Sequence, residues 1–269
     1  QSVFHHQDPP SLPDLEAGVF QAVPRPDLPP CVLPPWTGEE VCRVIRQMKV
    51  EVAKGADAWT VPELRLLSAP ICELFATFFN LLEQRILPWP SVLTQGLISL
   101  IPKADNADAV AASMTPLKLR PITVLAMWYR IWAKRTASVL SPWTATWIDP
   151  TCCGCLPDTQ CSDSTASVAL AIECCKSDRG AVALAKHKPP PCSGFVLDLI
   201  KAFSRLPRAA FEGLQKHWFQ LAQIDMWLSF LSLQRRRFKL KGAMGPAFAS
   251  NCGCAEGDAI SPLSMAWIS

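Results

Sequence analysis

Gly194 to Pro207 reads G-F-V-L-D-L-I-K-A-F-S-R-L-P, and its apolar run Phe195-Val196-Leu197 carries one carboxylate, Asp198, to the end of an expected buried strand. An ionised carboxylate is costly to bury unless something pairs with it. No basic residue stands directly beside Asp198, so a backbone cap, a distant Lys or Arg, or a metal ion remain as partners. Phe203 follows five residues later, and Pro207 then stops the extended segment where a helix tolerates proline in its first turn. The stretch is a strand ending in an acid, followed by a helix.

Downstream, Phe211, Leu214, Trp218 and Leu221 give that helix one buried face. Arg235 to Lys241, R-R-R-F-K-L-K, alternates as a basic strand with Phe238 and Leu240 expected to face inward. It reads either as a solvated edge strand protected by charge or as a strand that contacts phosphate. Gly253 to Pro262, G-C-A-E-G-D-A-I-S-P, places two glycines four apart and then Ser-Pro before an apolar run. That is a tight turn feeding a helix N-terminus, a place that favours anions.

Upstream, residues 1–36 are Pro-rich and patternless, an extended arm rather than a core element. Thr37-Gly38-Glu39-Glu40 has the form of a capping box, and Val41, Val44, Ile45, Met48 and Val52 recur at helical spacing. A second helical pattern from Pro70 puts Ile71, Leu74, Phe75, Phe78, Leu82 and Ile86 on one face. Leu97 to Ile101 is a short buried strand ending at Pro102-Lys103, and 104–116 is a loop. Leu119 to Val124 is a second extended piece carrying Arg120. Trp128, Ile131, Trp132, Arg135 and Val139 mark the next helix. Each strand presents one cation beside a proline, either an ordinary surface charge or part of an anion site. A Cys- and Pro-rich connection over 141–162, a helix carrying Val168, Ala171, Ile172 and Cys175, and a loop from Lys176 to Ser193 complete the path.

The 269 residues allow a sizeable core in one large or two small domains. A net charge of +3 is too small to argue for nucleic acid by itself. The 25 prolines are roughly twice the usual share of about 5%. Twelve cysteines without a signal-peptide pattern do not make a secreted disulfide scaffold. Cys152, Cys153 and Cys155 lack the second pair or nearby His that zinc needs, so the cysteines read as small apolar thiols. No apolar run reaches the roughly 20 residues of a membrane span, and the chain is expected to be soluble and intracellular. It begins at Gln1 rather than Met and ends inside Ala266-Trp267-Ile268-Ser269, and so reads as a fragment of something longer.

Taken in order, these pieces resemble the reverse transcriptase of non-LTR (LINE-type) retrotransposons. K-G-A-D-A-W…P-E-L from Lys54 resembles that family's P-G-P-D-G…P-E-L segment. Leu100-Ile101-Pro102-Lys103 resembles its I-P-K strand, Leu119-Arg120-Pro121-Ile122 its R-P-I strand, and Tyr129 to Leu140 the helix after it. Phe195 to Ser204 resembles D-x-x-K-A-F-D, and Gly253 to Pro262 resembles G-x-x-Q-G-x-x-x-S-P. Each motif is short; their number and order over residues 37–269 carry the likeness.

The resemblance implies an α+β right-hand polymerase fold, with helical and stranded fingers over 37–190 and the first part of a ferredoxin-like palm over 191–269. It implies Mg²⁺, two ions in the complete parent, held by the Asp198 carboxylate and the Leu199 carbonyl; hard oxygen donors suit that cation. Lys103 and Arg120 would hold the incoming triphosphate, and Lys201 and Ala202 would offer it backbone N–H groups. Phe203 would exclude a 2′-hydroxyl, so dNTPs are the expected substrates, with an RNA or DNA template-primer as partner and the nucleus as an expected location. Glu256 and Gly257 would approach the template and nucleotide. Ser204 stands where the family has Asp. Glu256 stands where it has Gln, replacing an amide that can donate with a group that only accepts when ionised. The family's aromatic-x-Asp-Asp hairpin is absent, so this fragment alone is not expected to polymerise. Two rival readings are a decayed or repurposed relative that binds nucleic acid without catalysis, and a soluble α+β domain whose motif order is coincidence.

Overall fold

The computed structural model describes residues 11–22, 25–102, 119–149, 152, 154, 156–184, 202–240 and 242–268. The chain is mixed α/β, about half helix, and its described residues form one mixed sheet and one core cluster that runs through the packed elements. Among the described residues no helix is long and apolar enough to cross a membrane.

The described part of the arm, residues 11–22 and 25–36, is more ordered than its composition suggests. Ser11 caps α1 (Leu12–Leu15) in a full capping box with Asp14, and a π-helical turn, Glu16–Phe20, follows. Phe20 stacks on His217 and meets Trp218 edge-on, and Trp36 is buried at 2% exposure. For residues 11–22 and 25–36 the expectation of a patternless arm outside the core is therefore corrected; residues 1–10 lie outside the described residues. Backbone carbonyls fasten it: Pro29 O accepts from Trp143 Nε1 at 2.8 Å, and Pro34 O accepts from Arg135.

Helix α2 (Gly38–Arg46) begins at Thr37, whose hydroxyl accepts from Glu40 N at 3.2 Å. The expected box is only half formed, because the Glu40 carboxylate pairs with Arg43 one turn on. Helix α3 (Val61–Arg65) carries a complete box between Thr60 and Glu63. Helix α4 (Ala69–Glu83) buries Cys72, Ala76, Phe79 and Leu82. Ile71 and Leu74, expected on the buried face, are 38% and 66% exposed. The buried face runs through Cys72, Ala76, Phe79 and Leu82, so Ile71 and Leu74 are rotated outward.

Strand β1 (Gln95–Pro102) pairs antiparallel with β2 (Leu119–Leu125), opposing Ile101 to Arg120. Helix α5 (Met127–Ala145) follows directly, burying Tyr129, Trp132 and Arg135. Helix α6 (Cys161–Leu184) runs on through the first half of the segment expected to be a loop, and the rest of that segment lies outside the described residues. Its side chains from 162 to 174 are exposed, Val168 and Ile172 included.

After α7 (Ala202–Arg205) and α8 (Arg208–Leu214), a second π-helical turn, Gln215–Phe219, rotates the face. It buries Gln215 and Phe219, whereas Trp218 and Leu221 are half-buried. Helix α9 (Ala222–Leu233), which the periodicity does not single out, places Trp227 and Phe230 at the centre of the core. Strand β3 (Arg235–Leu240) is not an edge: it pairs parallel with β1 and antiparallel with β4 (Ala243–Met244) and β5 (Phe248–Ala249). The expected inward pair is also corrected. Phe238 and Leu240 are 44% and 65% exposed, while Arg236, on the same face, is buried. The strand begins under the core and runs out past it. Helix α10 (Ser261–Ile268) closes the described chain. Cys72 and Cys254 are buried thiols, not disulfides.

Candidate functional site

Three of the sequence motifs meet through backbone hydrogen bonds. In the turn at 253–258, Gly253 N donates to Leu206 O and Cys254 N donates to Phe203 O, each at 2.7 Å. Three residues on, Glu256 O accepts from Thr123 N in the middle of β2, also at 2.7 Å. The turn thus bridges the Phe203 segment and the strand that carries Arg120.

The two glycines are what allow this. Gly253 has φ +73°, and a Cβ there would lie 2.6 Å from Phe203 O and from Ser204 backbone atoms. Gly257 has φ +115°, and its Cβ would lie 2.7 Å from Thr123 O. A side chain at either position would meet both the left-handed backbone penalty and a main-chain clash. Arg208 adds a clasp from α8, with Nε on Gly253 O at 3.1 Å and Nη1 on Leu231 O at 2.7 Å.

Asp258 anchors the far end of the turn. It is 4% exposed, and its Oδ2 accepts from Tyr129 Oη at 3.0 Å and from Trp227 Nε1 at 2.9 Å. Burial pushes its carboxyl above the ordinary value of 3.8, and the Trp227 and Tyr129 donors oppose that rise. Burial, and then the facing Asp258 charge, push the Tyr129 phenol well above its usual value. Burial likewise pushes the Cys254 thiol up to about 12, so it is a packing residue and not a nucleophile.

Of the expected site residues, Arg120 is exposed on β2, Ala202 and Phe203 are half-buried in α7, and Glu256 and Gly257 form the tip of the turn. Asp198, Leu199, Lys201 and Lys103 lie outside the described residues. Asp258, Tyr129 and Arg208 are the positioning residues that sequence reasoning passed over. Their signals are modest: an acid just after the second glycine of the turn, the chain's one tyrosine, and an Arg just after Pro207.

Among the described residues no three His, Cys, Asp or Glu side chains gather as a metal-holding group. The oxygen donors expected at Asp198 and Leu199 are of the kind a hard cation takes. Compared with known proteins, the chain matches no family model and no curated protein.

Proposed function

We propose that the chain is part of an RNA-directed DNA polymerase of the non-LTR reverse-transcriptase kind, with fingers and the first part of a palm. One observation carries this reading. The strand of Arg120, the Phe203 segment and the Glu256-Gly257 turn, three separate motifs of the resemblance, are joined by direct backbone hydrogen bonds. A coincidental motif order gives no reason for those segments to converge.

On this reading Arg120 offers a fixed positive charge to a triphosphate, the half-buried Phe203 ring limits space beside the sugar, and the bare backbone at Gly257 lets a base or sugar come close. Asp198 and the Leu199 carbonyl would hold Mg²⁺, which when bound neutralises charge on the phosphates undergoing transfer. Glu256 is acceptor-only when ionised, so it would select donor edges of a nucleic acid. The rival, a non-catalytic nucleic-acid binder, uses the same surface.

The test is primer extension with Mg²⁺ and dNTPs by a polypeptide that carries this chain together with an aromatic-x-Asp-Asp motif. Extension should vanish in Asp198→Asn, and Phe203→Ala should admit ribonucleotides. Extension that survived Asp198→Asn would refute the metal assignment. Unchanged sugar discrimination in Phe203→Ala would remove the steric gate. Template-primer binding without any extension, from a parent containing an aromatic-x-Asp-Asp motif, would favour the non-catalytic rival.

A further inference from the structure

Strand β3 carries a row of cations that the fold itself does not require. Arg235, Arg237 and Lys239 alternate along it, so they share one face of the sheet and stand about 6.6 Å apart at about 3.3 Å per residue. The register extends that face across the sheet. Met244 lies opposite Lys239 on β4, and Arg120 of β2 lies opposite Ile101, which is in phase with Leu97, the β1 partner of Arg237. The other face bears Ile98, Thr123 and Arg236, all buried, so the row looks away from the core. Arg235, Lys239 and Arg120 are exposed and Arg237 is half-buried. Among the described residues none of the four makes an ion pair or a side-chain hydrogen bond.

Two ordinary reasons for such charges do not apply. Lysines and arginines guard exposed strand edges, but the main chain of β3 is paired on both sides, with β1 on one and with β4 and β5 on the other. Nor do they balance a carboxylate among the described residues. The face is also not simply hydrophilic. Ile101 and Met244 are 47% and 50% exposed on it, apolar surface left in water among the cations. Such a face is complementary to a partner that carries regularly spaced negative charge and flat apolar groups together.

We propose that this face binds a single strand of nucleic acid, RNA or DNA, with its phosphates along Arg235, Arg237 and Lys239 and its bases against Ile101 and Met244. Single strands are held in this way, by cations that follow the backbone and by side chains that cover the exposed bases. A duplex keeps its bases stacked inside, so it would use the cations and leave Ile101 and Met244 in water. An extended acidic peptide gains most by adding to a sheet as a strand, and β3 has no free edge to offer it. Arg120, at the β2 side of the same face, continues the positive surface toward the Glu256-Gly257 turn, which bonds to β2 at Thr123. The inference deepens the nucleic-acid reading given above. It uses neither Asp198 nor a metal, so strand binding and primer extension can fail separately.

Fluorescence anisotropy of labelled oligo(U) and oligo(dT) with the whole chain, in EDTA, tests the surface. Binding should weaken as salt rises, log Kd climbing with log salt at a slope of about 2, from three phosphates at about 0.7 each. Arg235→Gln together with Lys239→Gln should lower that slope to about 0.7. The charge-matched pair Arg46→Gln and Lys49→Gln, exposed in and just after the last turn of α2, should leave it near the wild-type value. Met244→Ser should weaken binding with the slope unchanged, and a duplex of equal length should bind less tightly than the single strand. Tighter binding of oligo(U) or of oligo(dT) names the preferred sugar. No binding, an unchanged slope in the β3 pair, or an equal loss from both pairs would overturn the proposal. So would a duplex that binds as tightly as the single strand, or poly-glutamate that competes as well as the oligonucleotide at equal charge.

Discussion

Tyr129→Phe isolates one buried hydrogen bond. Tyr129 is fully buried and stacks on Phe230 at 3.6 Å between ring centroids, 15° from parallel. Phenylalanine keeps that stack and removes only the donor to Asp258. A hydrogen bond to an ionised group contributes about 1.5–3 kcal/mol, and one between neutral groups about 0.5–1.5 kcal/mol. The loss should therefore depend on pH. Burial raises the folded-state pKa of Asp258 above 3.8, so the stability linked to this carboxyl is complete below the unfolded value and is lost as pH rises through the folded value. The Tyr129 donor opposes that rise; without it the folded value climbs further and more stability is lost. Urea unfolding followed by tryptophan fluorescence should show about 1 kcal/mol lost at acid pH, growing toward about 3 kcal/mol once Asp258 is ionised. In a chain of this size each kcal/mol lowers the melting temperature by about 2–4 °C. A loss under about 0.5 kcal/mol, below the smallest value for a made bond, or one that is flat with pH, would refute the role given to Asp258.

Two further variants probe the frame around the site. Glu83 accepts from Trp36 Nε1, Trp132 Nε1 and Gln223 Nε2 and faces the buried Arg135. Glu83→Gln turns an amide donor toward donors and removes a charge opposite Arg135, so thermal unfolding should show about 3–5 kcal/mol lost; a loss under about 1 kcal/mol would mean that Glu40 alone balances Arg135. Gly253→Ala adds a Cβ 2.6 Å from Phe203 O at φ +73°. The left-handed backbone alone costs about 1–2 kcal/mol, so chemical denaturation should show at least that loss, and an unchanged midpoint would contradict the close approach.

Local signals in the sequence gave true elements. Thr37 starts α2, Pro102 ends β1, and the glycines at 253 and 257 mark a turn before a helix. What was illegible depends on contacts far along the chain. The arm docks through the carbonyls of Pro29 and Pro34, and carbonyls leave no trace in side-chain patterning. The burial of Arg236 inverts the usual expectation for R-R-R-F-K-L-K, because β3 enters the sheet beneath the core and leaves it at Phe238. The π-helical turn at Gln215–Phe219 adds a residue to the turn and shifts the 3.6-residue face. In the site, the motifs themselves were visible. The bonds joining them run between main chains, and only the folded path brings Glu256 to Thr123.

The parallel pairing of β1 with β3 also sets an order of events during synthesis. Gln95 finds its neighbour at Arg235, about 140 residues later. At ordinary translation speed β1 and β2 stand as a hairpin with an open edge for on the order of ten seconds before β3 is made. That edge includes Leu97 and Ile98, both buried once β3 is in place. During that interval it is an unpaired template for other chains. The hazard of this fold is thus greatest while it is half made, and slowing synthesis between Leu125 and Arg235 would be expected to cost soluble yield without altering the finished protein.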